Sequence, residues 1–254
     1  VEQSSDFYND TTDMLAWYKF SGEKGKIDSS GNDRHATDYG TPVLSGTSLS
    51  ITKDNYLKLP ENIINFDNDI CISFWYRFDN YQVYGRLFDF GKEKGIINHT
   101  NSIKVTRAGN NNMYFAIDNV SINIIYGHST TDLIYLTWVI KKDGTWIIYK
   151  NGVQIYINAS HVYPTTNIYT HSYLGKSNWG TEFTDVDNHI TLRDFRIYNR
   201  TLTPEEITTI YNCSTNYRAF NNNKSLVGWV GETPTIDFDT AYPGQYLKID
   251  LGEY

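Results

Sequence analysis

The sequence predicts an all-β chain folded as a two-sheet antiparallel β-sandwich, and three observations carry that prediction. The stretch Tyr135–Ile157, YLTWVIKKDGTWIIYKNGVQIYI, spells three strands together with both of their turns. Asp143-Gly144 and Asn151-Gly152 are pairs that accept positive φ at both central positions of a type I′ turn, so each should reverse the chain tightly. Between the turns Trp138, Ile140, Trp146, Ile148, Val153 and Ile155 recur at every second position and are expected to share one face of the resulting meander. An apolar sheet face must be covered, so a second sheet should lie over it. Composition agrees: 21 Tyr and few Ala favour strands over helices.

The elements follow in order. Residues 1–13 are polar and aperiodic and read as a linker. Strand signals begin at Met14–Phe20, followed by a loop holding Asp28, Ser29, Ser30, Gly31 and Asn32, small oxygen-bearing residues that suit both a tight turn and a hard cation. Further strands are expected at Ser48–Thr52, Tyr56–Leu59, Cys71–Phe78, Gly85–Phe90, Ile103–Thr106 and Met113–Ile117. A hairpin tip is expected at Gly109–Asn112, then a strand at Ser121–Tyr126 and the meander. Ser172–Leu174 reads as a short strand, Ser177–Asn188 as a polar loop, and Ile190–Tyr198 as the last strand. Thr203-Pro204-Glu205-Glu206 then spells a helix start, with Thr203 as N-cap, Pro204 at the first turn and Glu206 closing a capping box. The helix should be short, ending near Tyr211, with Ile207, Ile210 and Tyr211 lying on the sandwich.

Composition bounds the partners. The 254 residues, 40% hydrophobic and 15% aromatic, can bury a substantial core in one large or two smaller domains. A net charge of −7 argues against nucleic acid, whose phosphates call for clustered Lys and Arg. No apolar run approaches the ~20 residues of a membrane-spanning helix, and VEQSSDFYND lacks the regions of a signal peptide, so the chain is expected to start after a processed segment or partway into a longer protein. Cys71 and Cys213 have no partner at metal-binding spacing, and either two separate thiols or one disulfide fits them. Glycosylation sequons at Asn9, Asn98, Asn119, Asn158, Asn199, Asn212 and Asn223 permit a secreted or surface location.

Taken in order, LAWYKF, DSSGNDRHAT, YLKLP, CISFWYRF, the W…KDGTWIIYKNGVQI meander, SYLGKSN and LRDFRIYNRTLTPEEI resemble the laminin-G-like family, which has the concanavalin A-like jelly-roll sandwich. The resemblance covers about residues 14–212. It implies a non-catalytic module for carbohydrate or protein recognition, usually part of a larger extracellular, adhesive or virion-type protein. From Cys213 the chain resembles the opening of a discoidin-like domain, through AFNNNKS, Trp229 and GQYLKIDLG, so that residues 213–254 form either a partial second β domain or an ordered tail. Because the sequence stops before such a domain closes, a larger multidomain chain is implied.

The family resemblance also implies a Ca²⁺ site at the sandwich rim, for which Asp28, Asn32 and Asp194 are the candidate ligands. Arg193 stands where a more important acidic ligand is implied, so it can replace the cation by pairing with Asp28. The second candidate site is the 177–188 loop. Its Trp179 can serve as a stacking platform for a sugar, with Tyr173, Tyr81 and Tyr84 as helpers, or can merely pin the loop. Its acids Glu182, Asp185 and Asp187 are either a ligand cluster or a solvated surface. Trp17, Trp75, Trp138 and Trp146 lie in apolar strands and are core candidates.

Catalysis is not expected. A glycosidase needs two carboxylates about 5–9.5 Å apart, commonly at alternate positions of one strand, and no strand here carries that pattern. HExxH, GxSxG and a Walker loop are also absent. A structural role in a coat, fibre or capsid is the competing expectation, since both roles need exposed aromatic loops on a rigid scaffold.

Overall fold

A computed structural model describes residues 10–21, 25–80, 84–92, 102–109, 112–125, 129–164, 169–178 and 189–221, the last eight of these by backbone alone. The first third of the chain forms β1 (Met14–Tyr18), β2 (Thr37–Tyr39), β3 (Val43–Ser45), β4 (Ser48–Ile51), β5 (Tyr56–Leu59) and β6 (Ile70–Phe78). Then come β7 (Arg86–Gly91), β8 (Ser102–Arg107), β9 (Asn112–Ile117) and β10 (Val120–Ile125). The meander is β11 (Ile134–Ile140), β12 (Trp146–Lys150) and β13 (Val153–Asn158), followed by β14 (His171–Leu174), β15 (Ile190–Tyr198) and α1 (Pro204–Asn221). The expected strands are present with ends moved by a residue or two. Strands β2 and β3, three residues each, are additions, because a run that short shows no alternation to read.

Two antiparallel sheets result, as the jelly-roll sandwich requires. The first runs β13-β12-β11-β6-β15-β4-β3, with β1 on the far half of β15, and the second runs β10-β9-β8-β7-β14-β5-β2. Between them lies the main core, including Phe74, Phe88, Phe115, Trp138, Trp146 and Phe195. Trp138 and Trp146 meet edge to face at 5.1 Å, a favourable aromatic geometry.

The meander departs from its expected form in two places. Asn151 and Gly152 have φ of 52° and 79°, as a type I′ turn demands. At the other turn Gly144 alone has positive φ, 87°. There Gly144 N–H donates to Lys141 O at 3.0 Å and Lys141 N–H to Thr145 O at 2.9 Å, a longer turn closed by one left-handed glycine. The second departure is on β13. Its register with β12 shifts between Ile148 and Tyr149, a bulge that places Tyr156 opposite Ile148. Tyr156 therefore packs toward the core, whereas Val153, Ile155 and Ile157 are exposed at 66%, 41% and 57%.

A second hydrophobic cluster sits on the outer side of the first sheet. There Trp17, Cys71, Trp75, Tyr135, Ile147 and Tyr149 are covered by Ile207 and Ile210 of α1. Tyr211 stacks on Trp75 at 5.5 Å. The capping box is reciprocal: Glu206 N–H donates to Thr203 Oγ1 at 3.2 Å, and Thr203 N–H to Glu206 Oε2 at 2.7 Å. The helix continues past Tyr211 to Asn221, since no Gly or Pro intervenes to stop it. Both cysteines are free thiols, and burial pushes the Cys71 thiol well above its ordinary pKa. No described helix is long and apolar enough to cross a membrane.

The chain divides into two compact units, Val1–Ser214 and Thr215–Tyr254. Of the second, the described part is helical backbone through Asn221, and the stretch resembling a discoidin-like domain lies outside the described residues.

One glycine ties the sheets together. Gly175 ends β14 at φ +80°, and a methyl there would lie 2.3 Å from Ile51 Cγ2 of the opposite sheet. Gly175→Ala is expected to lower stability by about 3 kcal/mol, measured by urea unfolding. A loss below about 1 kcal/mol would mean that the sheets part easily at this point.

Candidate functional site

The two outer faces of the sandwich differ in kind. That of the first sheet holds a hydrophobic cluster and the buried Asp194–Arg196 pair and lies under α1, whereas that of the second sheet is polar and aromatic. One unbroken cross-strand row there reads, from β10 to β2, Ser121, Ala116, Lys104, Asp89, Tyr173, Lys58 and Thr37. The local sequence explains the row. In SIKVTR and NMYFAI the apolar Ile103, Val105, Phe115 and Ile117 point to the core, which sends Lys104, Thr106, Tyr114 and Ala116 outward.

The centre of the row is a rigid network. Asp89, 3% exposed, accepts from Arg86 Nε at 3.3 Å, Asn178 N–H at 3.2 Å and Asn178 Nδ2 at 3.1 Å. Asn178 Nδ2 also donates to the carbonyls of Asp89 and His171, at 2.9 and 2.8 Å. A Cβ on Gly91 would come within 3.0 Å of this amide, which accounts for glycine there. Arg86 Nη1 in turn donates to Tyr84 O at 2.7 Å and Thr106 Oγ1 at 3.0 Å. Lys104 is buried beside Asp89. Burial lowers its pKa to about 8, with Arg86 pushing the same way and Asp89 and Asp118 opposing. Buried charges held this way are fixed in direction and present a preorganised polar surface.

The ligand-binding candidates divide between this face and the segments outside the described residues. Tyr173 lies in the row, 7% exposed, with its ring edge-on to Tyr56 at 5.5 Å. Tyr84 is 58% exposed at the entry to β7, and its N–H donates to Arg107 O. Trp179 directly follows Asn178, but Trp179, Tyr81, Glu182, Asp185 and Asp187 fall outside the described residues. Sequence reading missed Arg86, Asp89, Lys104 and Asn178. The signal was present in SIKVTR, where Lys104 and Thr106 alternate with Ile103 and Val105.

The metal candidates are committed to protein partners. Asp28 Oδ1 accepts the N–H groups of Trp17 and Ser30, at 2.8 and 2.9 Å. Its Oδ2 accepts Ser30 Oγ at 2.7 Å and Arg34 N–H at 3.0 Å. Asn32 turns its amide nitrogen to Met14 O at 2.8 Å and Leu15 O at 3.2 Å. Asp194 accepts from Trp17 Nε1 at 2.6 Å and is chelated by Arg196 at 2.8 and 3.0 Å. A Ca²⁺ ion takes 6–8 oxygens, and this set, with its oxygens filled by N–H donors and an Arg beside Asp194, does not fit one. Among the described residues no group of three His, Cys, Asp or Glu is placed to hold a metal.

Fold and surface together define a class, the lectin-like antiparallel jelly roll, here with one outer face under α1 and the other polar and aromatic. Residues 51–208 match the laminin G model of the concanavalin A-like lectin/glucanases superfamily, and the chain belongs to that family. No curated protein matches the chain. Among solved structures, the binding domain of botulinum neurotoxin DC in complex with rat synaptotagmin II aligns with a TM-score of 0.58 at 16% identity. The serotype C1 binding domain aligns at 0.62 and 18%, and the DC domain in complex with SialylT at 0.59 and 16%. Each alignment covers 80% of this chain and 52% of the other, so the chain spans about half the length of these domains. At such identities the likeness is one of fold.

Proposed function

We propose that the sandwich is a non-catalytic recognition module whose polar and aromatic outer face, on the second sheet, binds carbohydrate, within a larger extracellular, cell-surface or virion protein. The observation that carries this reading is the chemistry of that face, where Tyr56, Tyr114 and Tyr173 lie beside the oriented polar network of Arg86, Asp89, Lys104 and Asn178. The single carboxylate of the central row, Asp89, is held by Arg86 and Asn178, which suits a binding surface better than a glycosidase needing two carboxylates. Binding domains of the same fold, solved with a protein and with SialylT, support the reading at the level of the scaffold.

A glycan array probed with the full chain tests it. Binding to a defined sugar class is expected, unchanged by chelator, and reduced about tenfold or more by Tyr114→Ala or Lys104→Met in variants that melt like the parent. A blank array with folded protein would overturn the carbohydrate reading.

The second reading is assembly with a protein neighbour in a coat, fibre or capsid. It is favoured by the exposed Val153, Ile155 and Ile157 on the edge strand β13, which carries no charged residue to guard it. Light scattering across a concentration series distinguishes the two, concentration-dependent assembly favouring the second.

A further inference from the structure

The four sheet edges are not alike. Phe115 of β9 meets Trp138 of β11 across the core at 5.3 Å, Phe88 of β7 meets Phe74 of β6 at 5.8 Å, and Gly175 at the end of β14 lies against Ile51 of β4. The two strand orders therefore run in the same sense, with β10 and β13 as the edges on one side of the sandwich and β2 and β3 on the other. On the β2/β3 side the edges are three residues long, and β2 carries Asp38, paired with Lys26. Short, charged edges resist the addition of another strand. On the opposite side β10, VSINII, and β13, VQIYIN, are six residues each, with no charged residue and no proline. Ile125, Val153, Ile155 and Ile157 are exposed there.

Of these two long edges β10 is the regular one. Its residues pair one for one with β9, whereas the register of β13 shifts. Val120, Ile122 and Ile124 stand opposite Ile117, Phe115 and Met113 and are only partly covered against the core, while Ser121 and Asn123 are exposed on the outer face. Among the described residues no strand pairs with the free side of β10. Such an edge is complementary to itself. Set antiparallel about a twofold axis at Ile122, Val120 meets Ile124 of a second copy, Ile122 meets its own counterpart and Ser121 meets Asn123, so the apolar pairs share the core side and the polar pairs the outer side. An axis at Asn123 also keeps the faces in step but leaves fewer apolar pairs inside. Two chains of net charge −7 meet with least repulsion over a surface free of charge, as this one is.

We propose that a second copy of this chain adds to β10, making one continuous antiparallel sheet across a twofold axis at Ile122. The proposal rests on the assembly reading and deepens it: the neighbour is an identical chain and the contact is β10. An antiparallel pair of identical strands has its twofold perpendicular to the sheet, so the first sheets of the two copies also come side by side. That brings their β13 edges, with Val153, Ile155 and Ile157, toward one another. Because the same patch serves on both copies, the contact closes at two.

The test is sedimentation velocity with light scattering on the full chain, across a micromolar to millimolar series. The mass is expected to rise from one chain and level off at two. Ser121→Glu combined with Asn123→Glu sets carboxylates opposite one another across the axis and should weaken dimerisation about 100-fold. Both positions are exposed, so the melting temperature should hold. Ser121→Lys combined with Asn123→Lys should weaken it equally, and an equimolar mixture of the two double variants should restore dimers holding one copy of each kind. Double variants that dimerise like the parent, or a mixture that stays monomeric, overturn the β10 contact. Should one double variant fail to fold, the other measured against the parent decides alone. Association lost in Ile155→Lys but kept in both double variants, or growth past two chains that they do not stop, overturns this contact and leaves the assembly reading standing. A parent that stays monomeric throughout overturns both.

Discussion

Asp194→Asn is expected to cost about 3–5 kcal/mol of folding stability, because it leaves the Arg196 guanidinium buried without its counter-charge. Both side chains are fully buried, and Arg196 Nε and Nη2 chelate the carboxylate at 2.8 and 3.0 Å. Arg196 also stacks on Trp17 at 4.4 Å, and Trp17 Nε1 donates to the same carboxylate. Burial works against the guanidinium charge, but Asp194 outweighs it and holds Arg196 protonated beyond its ordinary range. The backbone makes the arrangement. The register of β15 shifts between Arg193 and Arg196, and Asp194 sits in that bulge at φ 52°, so it joins Arg196 on the outer side of the sheet. Urea unfolding followed by tryptophan fluorescence reads the loss. The double variant Asp194→Ala with Arg196→Met should be more stable than Asp194→Asn, since removing both charges is milder than stranding one. A single-variant loss under about 1 kcal/mol, or a double variant less stable than the single, would refute this account.

Asp28→Ala should cost about 3 kcal/mol and remove part of the acid sensitivity of the fold. The side chain is 8% exposed and accepts four hydrogen bonds, three from backbone N–H groups that lose their acceptor in the variant. Burial pushes the pKa of Asp28 up, but the Ser30, Trp17 and Arg34 donors more than offset it and hold the carboxyl below the usual carboxylate range. A depressed folded-state pKa contributes stability that is fully present above the unfolded value and lost as pH falls through the folded one. The parent should therefore lose melting temperature between about pH 5 and pH 2 more steeply than Asp28→Asn. Equal slopes would show that Asp28 is not a source of the acid sensitivity.

Much of the fold was legible because its signals are local. Tyr56–Leu59 and Ile190–Tyr198 are strands with the very ends read from alternation, and Thr203 with Glu206 forms the capping box that its spacing spelled. The site was less legible. Tyr173 reached the outer face of the second sheet as a candidate, but Asp89 and Asn178, 89 positions apart, meet only because β7 and β14 are neighbours. Ile155 fits the meander's alternation and still faces water, because it is the extra residue of the bulge on β13, which hands its place opposite Ile148 to Tyr156.

By itself, then, the sequence determined the class of the protein: strands, turns, the helix start and a laminin-G-like sandwich, all set by patterns within a few residues of each other. The tertiary structure decided which outer face lies under α1, and which side of the sheet Arg193, Asp194 and Arg196 occupy. Period-2 alternation states that two faces differ. Which of them is inside depends on strand order, register and bulges, and those are fixed by pairings between residues far apart in the chain.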